Sequence, residues 1–277
     1  MMRSLYSAIS GLKNHQIKMD VIGNNIANVN TTGFKRSRVT FSTMLSQTLK
    51  GASAPDNTAT PPVGGTNPMQ VGLGASLGSI DQIMTQGSAQ STGNPTDMMI
   101  QGPGLFALTT NGTDRLYSRS GAFSLDAVGN LVDPASGARV LNADDSTTIN
   151  IDPAKYTTFS IDKTGTITGI LSATGLPDTT AVGHVQIATF PNAAGLTSVG
   201  GNFYEVSNNS GPATVYGDTT PYPTGTTLVS NAVEMSNVDL STEFTDMITA
   251  QRGFQANSRV ITVSDTLLQE LIDLKRN

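Results

Sequence analysis

Apolar and polar positions divide the 277-residue chain into three stretches with different periods. From Met2 to Ala27, apolar or permissive residues fall at Leu5, Ile9, Leu12, Gln16, Met19, Gly23 and Ile26, alternately four and three apart. Positions so spaced share one face of a helix, so the pattern predicts a helix burying a narrow stripe. The last stretch, Ser241 to Lys275, repeats it through Phe244, Met247, Gln251, Phe254, Ser258, Ile261, Asp265, Leu268 and Ile272. Asp239 or Ser241 can cap this helix, Glu243 sits in its first turn, and Lys275 and Arg276 sit in its last, all matched to the helix dipole. At ~1.5 Å per residue it is about 50 Å long.

Residues 71–230 carry no helical stripe longer than two turns. Short runs such as Leu105–Leu108, Val185–Phe190 and Asn202–Val206 are separated by Gly, Asn, Pro and Asp, which predicts short strands. The nine residues Phe123–Leu131 are echoed by Phe159–Ile167; in both, Asp126 or Asp162 opens a turn and Gly129 or Gly165 supplies positive φ three residues later. The Asp97-Met98-Met99-Ile100 run reads as strand core. Residues 51–68 and 207–227, rich in Pro, Gly, Ser and Thr, read as extended linker or exposed loop.

The expected fold is therefore α+β. Residues 1–30 and 235–277 form an antiparallel coiled-coil arm, 31–70 an extended connecting arm, and 71–234 a central all-β domain. Leu240, Ile248, Leu267, Leu271 and Leu274 lie beside the C-terminal seam, where one partner helix does not cover them. A long apolar flank of this kind marks an interface. The alternative is that both helices fold back on the β domain as an ordinary core.

Charge adds to this picture. Residues 1–50 hold seven basic groups and one acid, whereas 231–277 hold four and seven, so the two ends attract each other within a chain of net charge −5. With no domain-wide basic footprint, nucleic acid is not an expected partner. No run reaches the roughly 18 apolar residues of a membrane span, and the N-terminus has no apolar signal region. The chain has no Cys and only His15 and His184, which removes thiol nucleophiles, disulfides and Cys/His zinc sites. His15 falls on the cationic face of the first helix and His184 precedes a strand, with no adjacent Ser or Asp to complete a catalytic pair. Gly72–Gly74 and Gly102–Gly104 lack the strand–helix context of a phosphate loop and read as turns. Asp144-Asp145 reads as a solvated turn. Asp126 and Asp162 lack the further oxygen ligands of a calcium loop. No cofactor, metal or catalytic residue is expected.

Asp20-Val-Ile-Gly-Asn-Asn-Ile-Ala-Asn-Val-Asn-Thr-Thr-Gly-Phe-Lys35 reads locally as a helix stop followed by turns. It closely resembles the N-terminal signature of bacterial flagellar rod and hook proteins. Ser236–Ser258, with Asn237, Gln251 and Arg252, resembles their C-terminal signature, and Tyr117–Val132 looks like the hairpin of their β domain. Signature positions carried over are Gly23, Asn24, Asn25, Asn28, Gly33, Phe34, Asn237, Gln251 and Arg252. Within the family, Gly64–Gly74 and Leu267–Arg276 look like the hook members, while the chain is too short for the extra β domain many of them carry. The distal rod members are the alternative, and a secreted β-domain adhesin is the alternative of another class.

The resemblance implies a structural subunit of the hook, a hollow helical polymer that passes torque from rod to filament. The implied partners are further copies of the chain, rod proteins, hook cap and hook–filament junction proteins, and the flagellar type III export apparatus. Export without a cleaved leader, to an extracellular place in the flagellum, is implied too. The self-assembly residues expected on this basis are Leu5, Ile9, Leu12, Met19, Ile26, Phe244, Met247, Ile248, Phe254, Ile261, Leu268, Leu271 and Ile272.

Overall fold

The computed structural model describes residues 2–55, 64–143, 147–172, 175–178, 181–217 and 220–276, so the Asp144-Asp145 turn and residues 56–63 of the linker lie outside the described residues. The chain is α+β, with two helices and a largely antiparallel β region between them, and divides into two compact units.

The first unit comprises residues 1–26, 37–81 and 240–277. Its helices are α1, Met2–Ala27, and α2, Leu240–Arg276, close to the limits set by the sequence pattern. α1 stops where Asn28 turns the chain: Thr31 N–H donates to the Asn28 carbonyl (3.2 Å) and Thr31 Oγ1 bonds Asn28 Oδ1 (3.1 Å). The segment expected to be an extended arm is instead folded on itself. β1, Ser37–Thr43, pairs with β4, Ala75–Gln82, and β2, Ser46–Lys50, pairs antiparallel with β3, Met69–Gly72, from Ser46 opposite Gly72 onward. Alternating Ser and Thr pair across these strands, as Thr40 with Ser79 (2.7 Å) and Ser42 with Ser76 (2.8 Å).

The second unit comprises residues 27–36 and 82–239. Its strands are β5 (Ala89–Ser91), β6 (Met98–Gln101), β7 (Leu105–Thr109), β8 (Leu116–Ser118), β9 (Ser124–Leu125), β10 (Leu131–Val132), β11 (Arg139–Val140), β12 (Tyr156–Ile161), β13 (Thr166–Leu171), β14 (Gly183–His184), β15 (Ile187–Thr189), β16 (Thr197–Gly200), β17 (Phe203–Glu205), β18 (Thr214–Tyr216), β19 (Thr227–Ser230) and β20 (Ala232–Glu234). The main sheet runs β16-β17-β8-β7-β11-β10-β9, with β15 also on β7 and β18 on β15. β7 lies at its centre and is buried on both faces. Phe106 and Leu108 enter the cluster holding Met98, Ile100, Leu131, Ile149, Ile167 and Leu228, while Leu105 and Ala107 enter a second with Tyr117, Leu141 and Tyr204. That split is the two-residue period of a strand. Phe106 meets Phe123 edge-on at 5.2 Å, and its full burial contributes about 1.5–3 kcal/mol.

Both echoed turns form. Gly129 (φ 91°) and Gly165 (φ 80°) donate to the Asp126 and Asp162 carbonyls at 2.8 and 2.9 Å, closing β9–β10 and β12–β13. A third turn is one residue longer: Gly137 (φ 72°) donates to the Asp133 carbonyl at 2.8 Å.

Candidate functional site

In the first unit, α1 and α2 run antiparallel. Gly11 faces Asn257, His15 lies on Gly253, Lys18 pairs with Asp246 (3.2 Å), and Asn25 Nδ2 donates to Glu243 Oε2 (3.2 Å). The facing line on α1 is thus Ala8, Gly11, His15, Lys18, Ile22 and Asn25, one residue before each expected position from Ile9 to Ile26. On α2, Met247, Phe254, Ile261 and Leu268 are half-buried, and Glu243, Ala250 and Ser264 are buried one residue before the seam positions Phe244, Gln251 and Asp265. The cause is close approach. A Cβ on Gly11 would come 2.6 Å from Asn257 Nδ2, and one on Gly253 2.5 Å from the His15 ring. Small and polar residues therefore form the seam. His15 belongs to it rather than to an outer cationic face, and its buried Nδ1 has no hydrogen-bond partner among the described residues.

Rotation of the seam decides where the expected assembly residues fall. Leu5, Leu12, Met19 and Ile26 are half-buried, and Ile9 is exposed, as are Phe244, Ile248, Leu271 and Ile272. Leu240, Leu267 and Leu274 are exposed beside them.

The signature residues divide by role. Asn25, fully buried, holds both backbone groups of Ser37: its Nδ2 donates to the Ser37 carbonyl (2.9 Å) and its Oδ1 accepts from Ser37 N–H (3.0 Å). The same side chain helps satisfy buried Glu243, whose carboxylate sits at the N-terminal, positive end of α2. Gly23 has open space where a Cβ would be, and Asn24, Gln251 and Arg252 are exposed.

In the second unit, Gly33 (φ 70°) passes so close to the backbone that a Cβ would lie 2.4 Å from Ser120 N, and its N–H donates to the Glu234 carbonyl (2.8 Å). Phe34 is half-buried, and Asn28 makes the turn described above. Asn237 Oδ1 accepts from Arg36 N–H (2.8 Å) while its Nδ2 donates to the Ile83 carbonyl (2.8 Å) and to Thr85.

Beneath these turns lies an ionic cluster that sequence reasoning missed. Glu234 is fully buried. Its Oε1 accepts from Lys35 Nζ (2.6 Å) and Gly87 N–H (2.8 Å), and its Oε2 from Arg119 Nε (2.5 Å). Lys35 Nζ also donates to the Thr85 carbonyl (2.8 Å). Arg119 donates to the carbonyls of Ile100 (2.8 Å), Gly102 (2.7 Å) and Gly104. The Gly102–Gly104 turn is thus a cradle for a guanidinium. Burial pushes the Lys35 ammonium below its ordinary 10.5, and the Glu234 carboxylate opposes that shift. The available signal was a carboxylate inside the apolar run Ala232-Val-Glu-Met235, since an acid there is rarely buried unless paired.

Among the described residues, no group of three or more His, Asp or Glu could hold a metal ion, and no helix is long and apolar enough to cross a membrane. What the fold presents is a mechanical arrangement: a helix pair with apolar flanks, and turns locked by amide staples and a buried ionic cluster.

Comparison with known proteins agrees with that class. Residues 5–35 match the family model described as flagella basal body rod protein, 99–169 that of the flagellar hook protein FlgE/F/G D1 domain, and 229–274 that of the flagellar basal body rod FlgEFG protein C-terminal. The flagellar basal-body rod protein FlgG of Bacillus subtilis is 51% identical over 276 residues, covering 100% of both chains. The FlgG of Agrobacterium fabrum is 38% identical over 268 residues, 96% of this chain and 97% of that one. The flagellar hook protein FlgE of Borreliella burgdorferi is 30% identical over 451 residues, 99% of this chain and 100% of that one. The chain belongs to the flagellar basal-body rod and hook protein family, whose members are structural components of the flagellum and not enzymes.

Proposed function

We propose that the chain is a distal-rod subunit of the flagellar basal body, polymerising into a straight, hollow shaft that carries torque. The observation that supports the rod over the hook is end-to-end similarity at equal length, 51% to a rod protein. The hook relatives align at 28–30% over 451–473 residues and so carry long stretches this chain lacks. This reverses the order of preference drawn from Gly64–Gly74 and Leu267–Arg276.

In the proposed polymer, residues 1–30 and 235–277 form the inner tube, and the exposed apolar residues of α1 and α2 meet neighbouring copies. Close-packed apolar interfaces resist deformation, which suits a shaft under torsion. Adjoining rod and hook proteins are its neighbours, and the flagellar export apparatus delivers it. Gold-labelled antibody against the second unit, applied to purified hook–basal bodies, tests the assignment. Label on the straight shaft below the hook supports it; label along the curved hook refutes it.

A further inference from the structure

The ionic cluster of the second unit holds one more positive charge than negative. The side chains of Lys35 and Arg119 are 2% and 6% exposed and that of Glu234 0%. Among the described residues, both cations make their ion pair with this one carboxylate. The influences on Lys35 show the same imbalance. Burial disfavours its ammonium most, Glu234 favours it, and the Arg119 charge disfavours it again. A charge out of reach of water is costly unless a counter-charge accompanies it.

Donors are in excess as well. An ammonium carries three N–H groups and a guanidinium five. Lys35 uses two of its three, on the Thr85 carbonyl and Glu234 Oε1. Arg119 uses four of its five: Nε on Glu234 Oε2, both N–H groups of Nη2 on the Ile100 and Gly102 carbonyls, and one of Nη1 on the Gly104 carbonyl. One N–H of Lys35 Nζ and one of Arg119 Nη1 therefore have no acceptor among the described residues. Donors buried this deeply are rarely left so. Both side chains line one cavity of about 80 Å³, together with Met84, Pro103, Leu105 and Ala193. Gly104, whose carbonyl takes the other Nη1 N–H, lines it too, and Met84 adjoins Thr85, which holds Nζ. The two unused donors thus sit at the cavity wall, and every residue of the site belongs to the second unit.

We propose that this cavity binds a small monovalent anion such as chloride, held between Lys35 Nζ and Arg119 Nη1. One negative charge brings the cluster to neutrality, whereas a dianion would overshoot it. Water would satisfy the two donors but not the charge. At about 30 Å³ for each water molecule the cavity has the room of two or three, enough for a halide and too little for a sugar acid. Met84, Pro103 and Leu105 make most of the wall apolar, which keeps the local dielectric low and strengthens the attraction to both cations. Bound there, the anion ties the turn after Gly33 to Arg119 at the end of β8, independently of any contact between copies.

Urea unfolding of the full-length protein is followed while sodium chloride replaces sodium gluconate at constant ionic strength and pH, gluconate being too large for the cavity. Once chloride exceeds its dissociation constant, each tenfold rise should favour folding about tenfold. Lys35→Met removes the charge excess and one donor, and Ala193→Leu fills the cavity while leaving both cations in place. Both variants should lose the chloride response. A flat response in the natural protein overturns the proposal and means that the cluster balances its charge otherwise, as with a neutral Lys35. A response kept in either folded variant overturns it too, because chloride then acts elsewhere. Should neither variant fold, bromide-soaked crystals of the natural chain decide. An anomalous peak within hydrogen-bond reach of Lys35 Nζ and Arg119 Nη1 supports the site; peaks only at other places, or none, overturn it.

Discussion

Glu234→Gln tests whether the buried ionic cluster holds the second unit together. The substitution keeps size and shape, and a Gln carbonyl can still accept from Gly87 N–H. It takes away the carboxylate bonded to both Lys35 and Arg119, and it turns an NH2 group toward one of those two donors. Two cations, both nearly inaccessible to solvent, are then left without their counter-ion. Breaking a buried pair in this way costs about 3–5 kcal/mol. A Coulomb energy of about 4 kcal/mol for one pair at 4 Å in an effective dielectric of 20 gives the same scale. The loss corresponds to a factor of at least about a hundred in the folding equilibrium. Urea unfolding followed by tyrosine fluorescence suits the measurement, because five of the six tyrosines lie in the second unit and there is no Trp. Exposed Glu205→Gln serves as control, with an expected change within about 0.5 kcal/mol. A loss below about 1 kcal/mol for Glu234→Gln, at unchanged m-value, would refute the reasoning.

Three further outcomes are expected. Gly33→Ala forces a Cβ into the Ser120 backbone and a left-handed φ on a non-glycine residue, so thermal unfolding of the second unit should reveal at least about 2 kcal/mol of destabilisation. Asn25→Ala leaves Ser37 unpaired at both backbone groups and should weaken the first unit by about 1–3 kcal/mol. Faster hydrogen exchange at Ser37 and along α2, with the β7 core unchanged, is its signature; an unchanged Ser37 rate counts against it. Lys35 is held below 10.5 in the fold, so across the interval beneath 10.5 the unfolded chain binds more protons at this residue. The Lys35 contribution to stability therefore rises with pH there and is flat below the folded-state value. The stability difference between the natural protein and Lys35→Met should shift in the natural protein's favour as the pH rises toward 10.5; a difference falling with pH contradicts the assignment.

The helices and turns were legible in the sequence because local chemistry decides them. The 3.5-residue spacing and the Asn28 turn after α1 set the helix limits, and Asp followed three residues later by Gly set the hairpins. The family signatures were legible too, since they are runs of particular residues, but not the work each residue does. Gly33 and Asn237 act on backbone far away in sequence, at Ser120 and Ile83.

What the sequence alone determined is the class of element at each place: two amphipathic helices, and strands with tight turns between them. Which stripe of each helix faces inward was decided only in three dimensions. Two adjacent stripes on α1 could serve, and the choice went to the one where Gly11 and Gly253 let the helices approach, at the expense of the more apolar line through Ile9. The cluster of Lys35, Arg119 and Glu234 is likewise tertiary, joining groups 199 and 115 residues apart. A period in sequence constrains how residues share a face, whereas burial of charge depends on partners that only chain closure brings within reach.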